Sequence, residues 1–326
     1  MNTHSTPDMS VILATPDDEK SIRKTIQHLR QQTVQNRLEL VIVAPSKTEL
    51  NFEQAELQGF FKVLVVECGE ITSIAKANAA GIRQAAAPIV ALAEDHSFPM
   101  PDWAASLIEA HRQPYAAVGP VVRNANPNTA VSWADFLIGY GPWIDPTAAD
   151  VVEFLPGHNS SYKRAILLEC DDQLEAMLEA ETVLHWDLRK KGYELYLEPA
   201  AKTSHVNFSL ISSWVRAQYH CGRVFAGTRL KTMSAFARLV YIGGAPLIPL
   251  VRLRRILREL HKPARPKVPL LRVISALLLG LGLDGFGQMI GYIWGIGKSQ
   301  EKLAQFEFHR WQHLTPQDQK EIQALQ

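Results

Sequence analysis

Five apolar residues in a row, Ile89 to Ala93, run directly into Glu94, Asp95 and His96. A run this short, with no polar position inside it, reads as a strand buried on both faces, as in a parallel sheet covered by helices. Two carboxylates and an imidazole at its carboxyl end stand where open α/β sheets place their ligand crevice. Oxygen and imidazole donors at i and i+2 can converge on one divalent cation, which can in turn hold a diphosphate. The plainer reading is a solvated turn at a strand end.

The preceding chain supplies the rest of such a sheet. Ser10–Ala14 is an apolar strand candidate, and Thr15-Pro16-Asp17-Asp18 is a turn with helix-start chemistry. Ile22, Ile26 and Leu29 recur at helical spacing between Ser21 and Gln32. Leu38–Ala44 and Val63–Val66 read as strands, and the Ala-rich stretch from Ser73 to Ala87 reads as a helix. Strands alternating with helices in this order predict an α/β domain with a mostly parallel sheet.

These residues resemble those of family 2 glycosyltransferases, which have the GT-A fold. The first strand's turn (Ala14-Thr15-Pro16-Asp17), an AxNxG-like segment (Ala77-Asn78-Ala79-Ala80-Gly81) and the acidic cluster Glu94-Asp95-His96 come in the family's order. Leu155 to Arg164 resembles its GxNxxxRR acceptor-side segment. Ala180-Glu181 followed by Gly192, then Pro199 and His205, then Arg216, Gln218, Tyr219 and Gly222 complete the pattern. The likeness runs from about residue 9 to residue 230. Two positions depart from it. The second strand ends Val43-Ala44-Pro45-Ser46, without the two nucleotide-side aspartates, and Ala180-Glu181 keeps one carboxylate of the usual Glu-Asp pair.

The resemblance implies transfer of a sugar from a nucleotide-diphosphate donor to a hydroxyl, with inversion at the anomeric carbon. It implies Mg²⁺ or Mn²⁺ as cofactor, with Glu94, Asp95, His96 and His205 as the candidate ligands. In the Asp-x-His variant of the motif the set is Glu94, His96 and His205. Thr15, Asp17, Asn78 and Arg216 are the donor-binding candidates, and His158 and Asn159 lie on the acceptor side. For the general base, Leu178 to Lys191 reads as a helix, and Glu181 sits near its N-terminus, where the macrodipole favours a carboxylate. Asp171, Asp172, Glu175 and Glu179 compete for that role, and an exposed helix charge is the structural alternative. Asn124 to Asp150, with Gly139, Gly141 and Pro142, reads as an acceptor-side loop.

Composition narrows the setting. A net charge of +1 over 326 residues argues against a general nucleic-acid binder. Cys68, Cys170 and Cys221 match no metal or disulfide spacing and read as reduced cytosolic thiols. The start, MNTHSTPDMS, lacks an apolar h-region, so no cleaved signal peptide is expected.

The C-terminal third changes character. Leu239–Val251 and Val273–Ile296 are apolar, the second interrupted by Asp284 and Gln288. Between and beside them lie Arg252, Arg254, Arg255, Arg258, Lys262, Arg265, Lys267 and Arg272. Neither apolar half alone reaches the ~20 residues a bilayer span needs. Basic clusters beside apolar helices fit an anionic leaflet approached from the cytoplasmic side; a packed helical subdomain is the alternative.

The expectation is therefore a GT-A type, Rossmann-like α/β sheet flanked by helices, with a C-terminal helical appendage. Its parts are a disordered start (1–8), a glycosyltransferase domain (9–230), a membrane-associated helical region (231–300) and a tail (301–326). The partners expected are a nucleotide-diphosphate sugar, a glycan or lipid-linked acceptor and an anionic membrane surface, with no nucleic acid, in a cytoplasmic protein peripheral to the membrane. A non-catalytic glycan- or partner-binding relative is the competing function. A nucleotidyltransferase is a further one, although Thr15-Pro16-Asp17-Asp18 lacks its Gly-rich, basic phosphate loop.

Overall fold

The computed structural model describes residues 5–230, 233–262 and 267–325. Residues 1–4 of the expected disordered start, the 231 boundary, Pro263, Arg265 and Pro266 lie outside the described residues.

The chain opens with β1 (Met9–Ala14), α1 (Arg23–Arg30), β2 (Leu38–Ala44), β3 (Lys62–Glu67), α2 (Ile74–Gln84) and β4 (Ile89–Ala93). It continues through β5 (Ser97–Pro99), α3 (Trp103–Ala110), β6 (Ala117–Asn124), α4 (Ala130–Tyr140), β7 (Asp150–Val152) and β8 (Ser161–Lys163). Then come α5 (Arg164–Leu168), α6 (Leu174–Leu178), α7 (Glu181–Lys190), β9 (Leu195–His205) and α8 (Ile211–Arg229). The last helices are α9 (Ala235–Gly244), α10 (Ile248–Leu260), α11 (Leu270–Trp294), α12 (Ser299–Phe308) and α13 (Pro316–Ala324). They form two compact units, residues 1–123 with 147–204, and 124–146 with 205–326.

The first unit carries the sheet. Its order is β3-β2-β1-β4-β8-β6-β9-β5, with β7 pairing β9. The first four strands are parallel, and β8 joins β4 and β6 antiparallel. Every residue of β1, β2 and β4 is buried. One face (Val11, Leu13, Leu40, Ile42, Ala91) packs against Ile22, Ile26 and Leu29 of α1 and Trp103 and Leu107 of α3. Side chains alternate across a strand, so Ile12, Val41, Val43 and Leu92 fill the other face, toward α2. Burial on both faces is why these strands read as nearly continuous apolar runs, broken only by Ser10 and Glu39, which hydrogen-bond to each other; each buried Leu or Ile contributes roughly 1.5–3 kcal/mol. Leu13 pairs both Ile42 and Ala93, so the register brings Thr15 and Glu94 out at the same edge of the sheet.

The second unit is helical. The expected acceptor-side loop from Asn124 to Asp150 instead contains the eleven-residue α4. Its N-cap is Thr129, whose hydroxyl accepts from Ser132 N; Gly139 lies in its last turn, and Gly141 and Pro142 follow it. Asp135 of α4 is buried and accepts hydrogen bonds from Phe208 N, Trp214 Nε1 and Gln218 Nε2, each 3.0 Å. Burial raises its pKa to about 6 despite the nearby Arg310.

The two apolar halves expected at Val273–Ile296 are one continuous helix, the 25-residue α11. Asp284 does not break it, because its carboxylate pairs with Arg252 and accepts from Gln288 Nε2 at 2.8 Å. By length and composition two helical stretches suffice to cross a membrane, Ala235–Leu260 and Leu270–Trp294. They differ in burial, 6% of the apolar window in the first and 44% in the second. The buried stripe of α11 meets α8 backbone to backbone. A Cβ on Gly222 would fall 2.0 Å from Asp284 O, and one on Gly287 2.1 Å from Tyr219 O.

Candidate active site

Glu94 leaves the sheet at the end of β4, and its backbone carbonyl is fixed by the Thr25 hydroxyl of α1 at 2.9 Å. Asp95 Oδ1 takes a hydrogen bond from His96 Nδ1 at 2.6 Å. The other ring nitrogen, His96 Nε2, faces Glu94 and lies 3.6 Å from its Oε1. Two ligands each about 2.0–2.2 Å from one ion can stand this far apart. The donor chemistry, carboxylate oxygen and neutral imidazole, suits Mn²⁺ or Mg²⁺ with exchangeable positions. Glu94, His96 and His205 are all buried, and His205 is the last residue of β9. Its Nδ1 lies 3.0 Å from Asn207 Oδ1.

The segment before β8 folds back onto β4. Asn159 N donates to Leu92 O (2.6 Å), Leu92 N donates to Ser160 O (3.1 Å), and Trp103 Nε1 donates to Asn159 O (3.2 Å). This pinning sets His158 between two carboxylates, its Nδ1 3.4 Å from Glu94 Oε1 and its Nε2 3.6 Å from Glu181 Oε1. Glu181 is the first residue of α7, and Ala180 before it, at φ −145° and ψ 87°, is not helical. The expected helix from Leu178 is thus interrupted at Glu179-Ala180, and the break puts Glu181 in the first turn, where the helix dipole favours its charge.

Behind these groups Tyr162 and His185 form a buried pair, Tyr162 Oη to His185 Nε2 2.9 Å. Leu155 N donates to His185 Nδ1 at 3.4 Å, linking α7 to the segment that carries His158. Burial pulls the His185 pKa down to about 3, so the ring is neutral and serves as a strut between the two elements.

Of the sequence-predicted residues, the structure brings together Glu94, Asp95, His96, His158, Asn159 and Glu181. The Thr15 hydroxyl is 3.1 Å from Ser21 Oγ, in the turn after β1. Asp17 is exposed in the same turn. Asn78 is buried on α2, and its Oδ1 has no hydrogen bond among the described residues. Arg216 is exposed on α8 in the second unit, its Nε donating to Ser212 O and its guanidinium lying over Phe306. Asp171, Asp172 and Glu175, the competing carboxylates, are exposed. Sequence reasoning missed Thr25, Ser97, Tyr162, His185 and Thr203. They are joined only by the fold and carry no local signal.

Gly157 also belongs to the site, because a Cβ there would meet Glu181 Cδ at 2.6 Å. The obstacle is the mobile end of a side chain, so Gly157→Ala is expected to fold normally while displacing the Glu181 carboxylate. Turnover should fall at least ~10-fold with donor affinity retained, a split read from kcat and KM.

Residues 10–170 match the family model described as glycosyl transferase family 2. A search of curated proteins finds no match. Among solved structures, the mannosyltransferase PcManGT from Pyrobaculum calidifontis, in complex with GDP-Man and Mn²⁺, overlays with a TM-score of 0.52 at 15% identity, covering 90% of this chain and 88% of that one. GalNAc-T7 with UDP, GalNAc and Mn²⁺ overlays with a TM-score of 0.46 at 13% identity, over 61% of this chain and 43% of that one, so the chain spans less than half of that protein's length. A mostly parallel sheet with its acidic and imidazole side chains gathered at the carboxyl end of β4, together with the match, marks residues 10–170 as a glycosyl transferase family 2 domain.

Proposed function

We propose that the chain transfers a sugar from a nucleotide-diphosphate donor to a hydroxyl of a glycan or lipid-linked acceptor, inverting the anomeric carbon. The observation that carries this reading is the line Glu94–His158–Glu181, which sets a cation-binding carboxylate and a base one imidazole apart. The acceptor oxygen attacks the anomeric carbon while Glu181 takes its proton. The bond from that carbon to the diphosphate oxygen breaks, and the nucleoside diphosphate leaves with the electron pair. Glu94, His96 and His205 would hold a divalent cation, Mg²⁺ or Mn²⁺, which when bound would neutralise charge on the leaving diphosphate. His205 falls two residues beyond Thr203 on β9, hence on the same face of the strand, and Thr203 Oγ1 lies 2.8 Å from Ser97 Oγ beside His96. Asp95 orients His96 rather than binding the ion. Thr15, Asp17, Asn78 and Arg216 are assigned to the donor, and His158 to the acceptor side. The test is a panel of nucleotide-diphosphate sugars with and without Mn²⁺. Release of nucleoside diphosphate only when both the donor and Mn²⁺ are present is expected. Metal-dependent binding with no release on any acceptor tried would favour the non-catalytic reading.

We further assign the protein to the cytoplasmic face of an anionic membrane, bound peripherally through α9 and α10. Phe236, Leu239 and Val240 of α9, and Leu247, Leu250 and Val251 at α10, are exposed, and Arg254, Arg255 and Arg258 lie exposed beside them. Each cation near such a surface contributes ~1 kcal/mol, and salt screens that part while apolar insertion persists. Reversing all three arginines to Glu is expected to abolish sedimentation with phosphatidylserine vesicles at low salt. Wild-type sedimentation by that variant, or none by the unmodified chain, would remove the membrane assignment and weaken the lipid-linked acceptor.

A further inference from the structure

The Asn159 amide reaches the Glu94 carboxylate. Asn159 Nδ2 donates to Glu94 Oε2 at 3.3 Å and to Ser97 Oγ at 2.9 Å. A carboxylate oxygen accepts, so the amide presents nitrogen to it, and Asn159 Oδ1 is left buried without a hydrogen bond among the described residues. A buried unpaired acceptor destabilises the fold, and a cost of that kind marks a side chain whose orientation is set by something other than stability. The backbone tells the same story. Asn159 sits at φ 61°, in the left-handed region that Asn, almost alone among non-glycine residues, enters readily. Glycine would satisfy the backbone and supply no amide. The residue is 2% exposed, so its side chain faces the Glu94 carboxylate rather than an acceptor in solvent.

The carboxylate is thereby divided. Oε2 is occupied by Asn159, while Oε1 is the oxygen that faces His96 Nε2 and His158 Nδ1. We propose that Asn159 is a positioning residue for the cation site, fixing Glu94 so that a single, preselected oxygen is offered to the ion. The inference rests on the reading of Glu94 and His96 as ligands. It removes Asn159 from the acceptor side, where its sequence position suggested it.

The test measures Mn²⁺ binding to the full chain by electron paramagnetic resonance, without nucleotide. Asn159→Gly keeps the left-handed backbone and removes the amide, and Asn159→Ser repeats the removal with a different backbone preference. Partners that orient a metal ligand typically change affinity 10–100-fold. Both variants are expected to raise the Mn²⁺ Kd by that factor with an unchanged circular-dichroism spectrum. Their nucleoside diphosphate release should recover as Mn²⁺ is raised, which a merely structural lesion would not do. Wild-type Mn²⁺ affinity in Asn159→Gly, or lost activity that excess Mn²⁺ does not restore, overturns the proposal and leaves the ligand assignment standing. Failure of the unmodified chain to bind Mn²⁺ overturns both.

Discussion

Glu181→Gln is expected to lower turnover by ~10²-fold or more, the usual worth of a positioned general base, with donor binding little changed. The substitution keeps size and hydrogen bonding and removes the charge that takes the acceptor proton. Glu181 is singled out by its place at the start of α7, 3.6 Å from His158 and one imidazole from Glu94. Steady-state kinetics at saturating donor and Mn²⁺ check it, with kcat and kcat/KM falling together. Wild-type turnover in this variant would move the role to Asp171, Asp172 or Glu179. Agreement with Gly157→Ala would separate loss of the charge from its misplacement, because that change leaves the carboxylate chemically intact.

Glu94→Ala and His96→Ala are each expected to abolish the Mn²⁺-dependent rise in unfolding temperature produced by a nucleoside diphosphate. At a ligand concentration 100 times Kd such stabilisation is about 2.7 kcal/mol, a shift of several degrees for a chain of this size. Asp95→Asn should weaken rather than abolish it. The amide oxygen can still accept from His96 Nδ1, though without the charge that strengthens the bond. Full stabilisation in either alanine variant would displace the cation from this end of β4.

The sheet was legible because its strands are buried on both faces. Leu38–Ala44 and Ile89–Ala93 end in the structure where their apolar runs end. Glu94, Asp95 and His96 were legible for the same reason, since three polar side chains in succession cannot continue such a run and so mark its edge. What failed to show was long-range. Nothing near Gly157 in sequence says that it leaves room for a side chain on α7, and nothing near Thr203 says that its hydroxyl meets Ser97. The α4 segment was misread because Gly139, Gly141 and Pro142 dominate its composition while Thr129, the residue that starts the helix, is a single weak cue. Asp284 misled in the other direction. A charge inside an apolar run looks like an interruption until its partner, Arg252, is known to lie 32 residues away in sequence.

The glycine seam between α8 and α11 determines how this protein can be dissected. Gly291 continues it, a Cβ there falling 2.6 Å from Arg223 O, so backbone lies against backbone over several turns. Such a seam cannot be opened on one side only. A chain cut after α8 would present to water a helix shaped to fit a missing neighbour, its small residues and unfilled groove inviting self-association. A truncation that lost vesicle binding would then report an aggregated stump as readily as a lost lipid contact. For the same reason α11, although long and apolar enough for a bilayer, is committed to α8. The α9–α10 arm cannot simply be removed, because Arg252 holds buried Asp284; what is free to be recharged without unfolding the rest is its exposed face, at Arg254, Arg255 and Arg258.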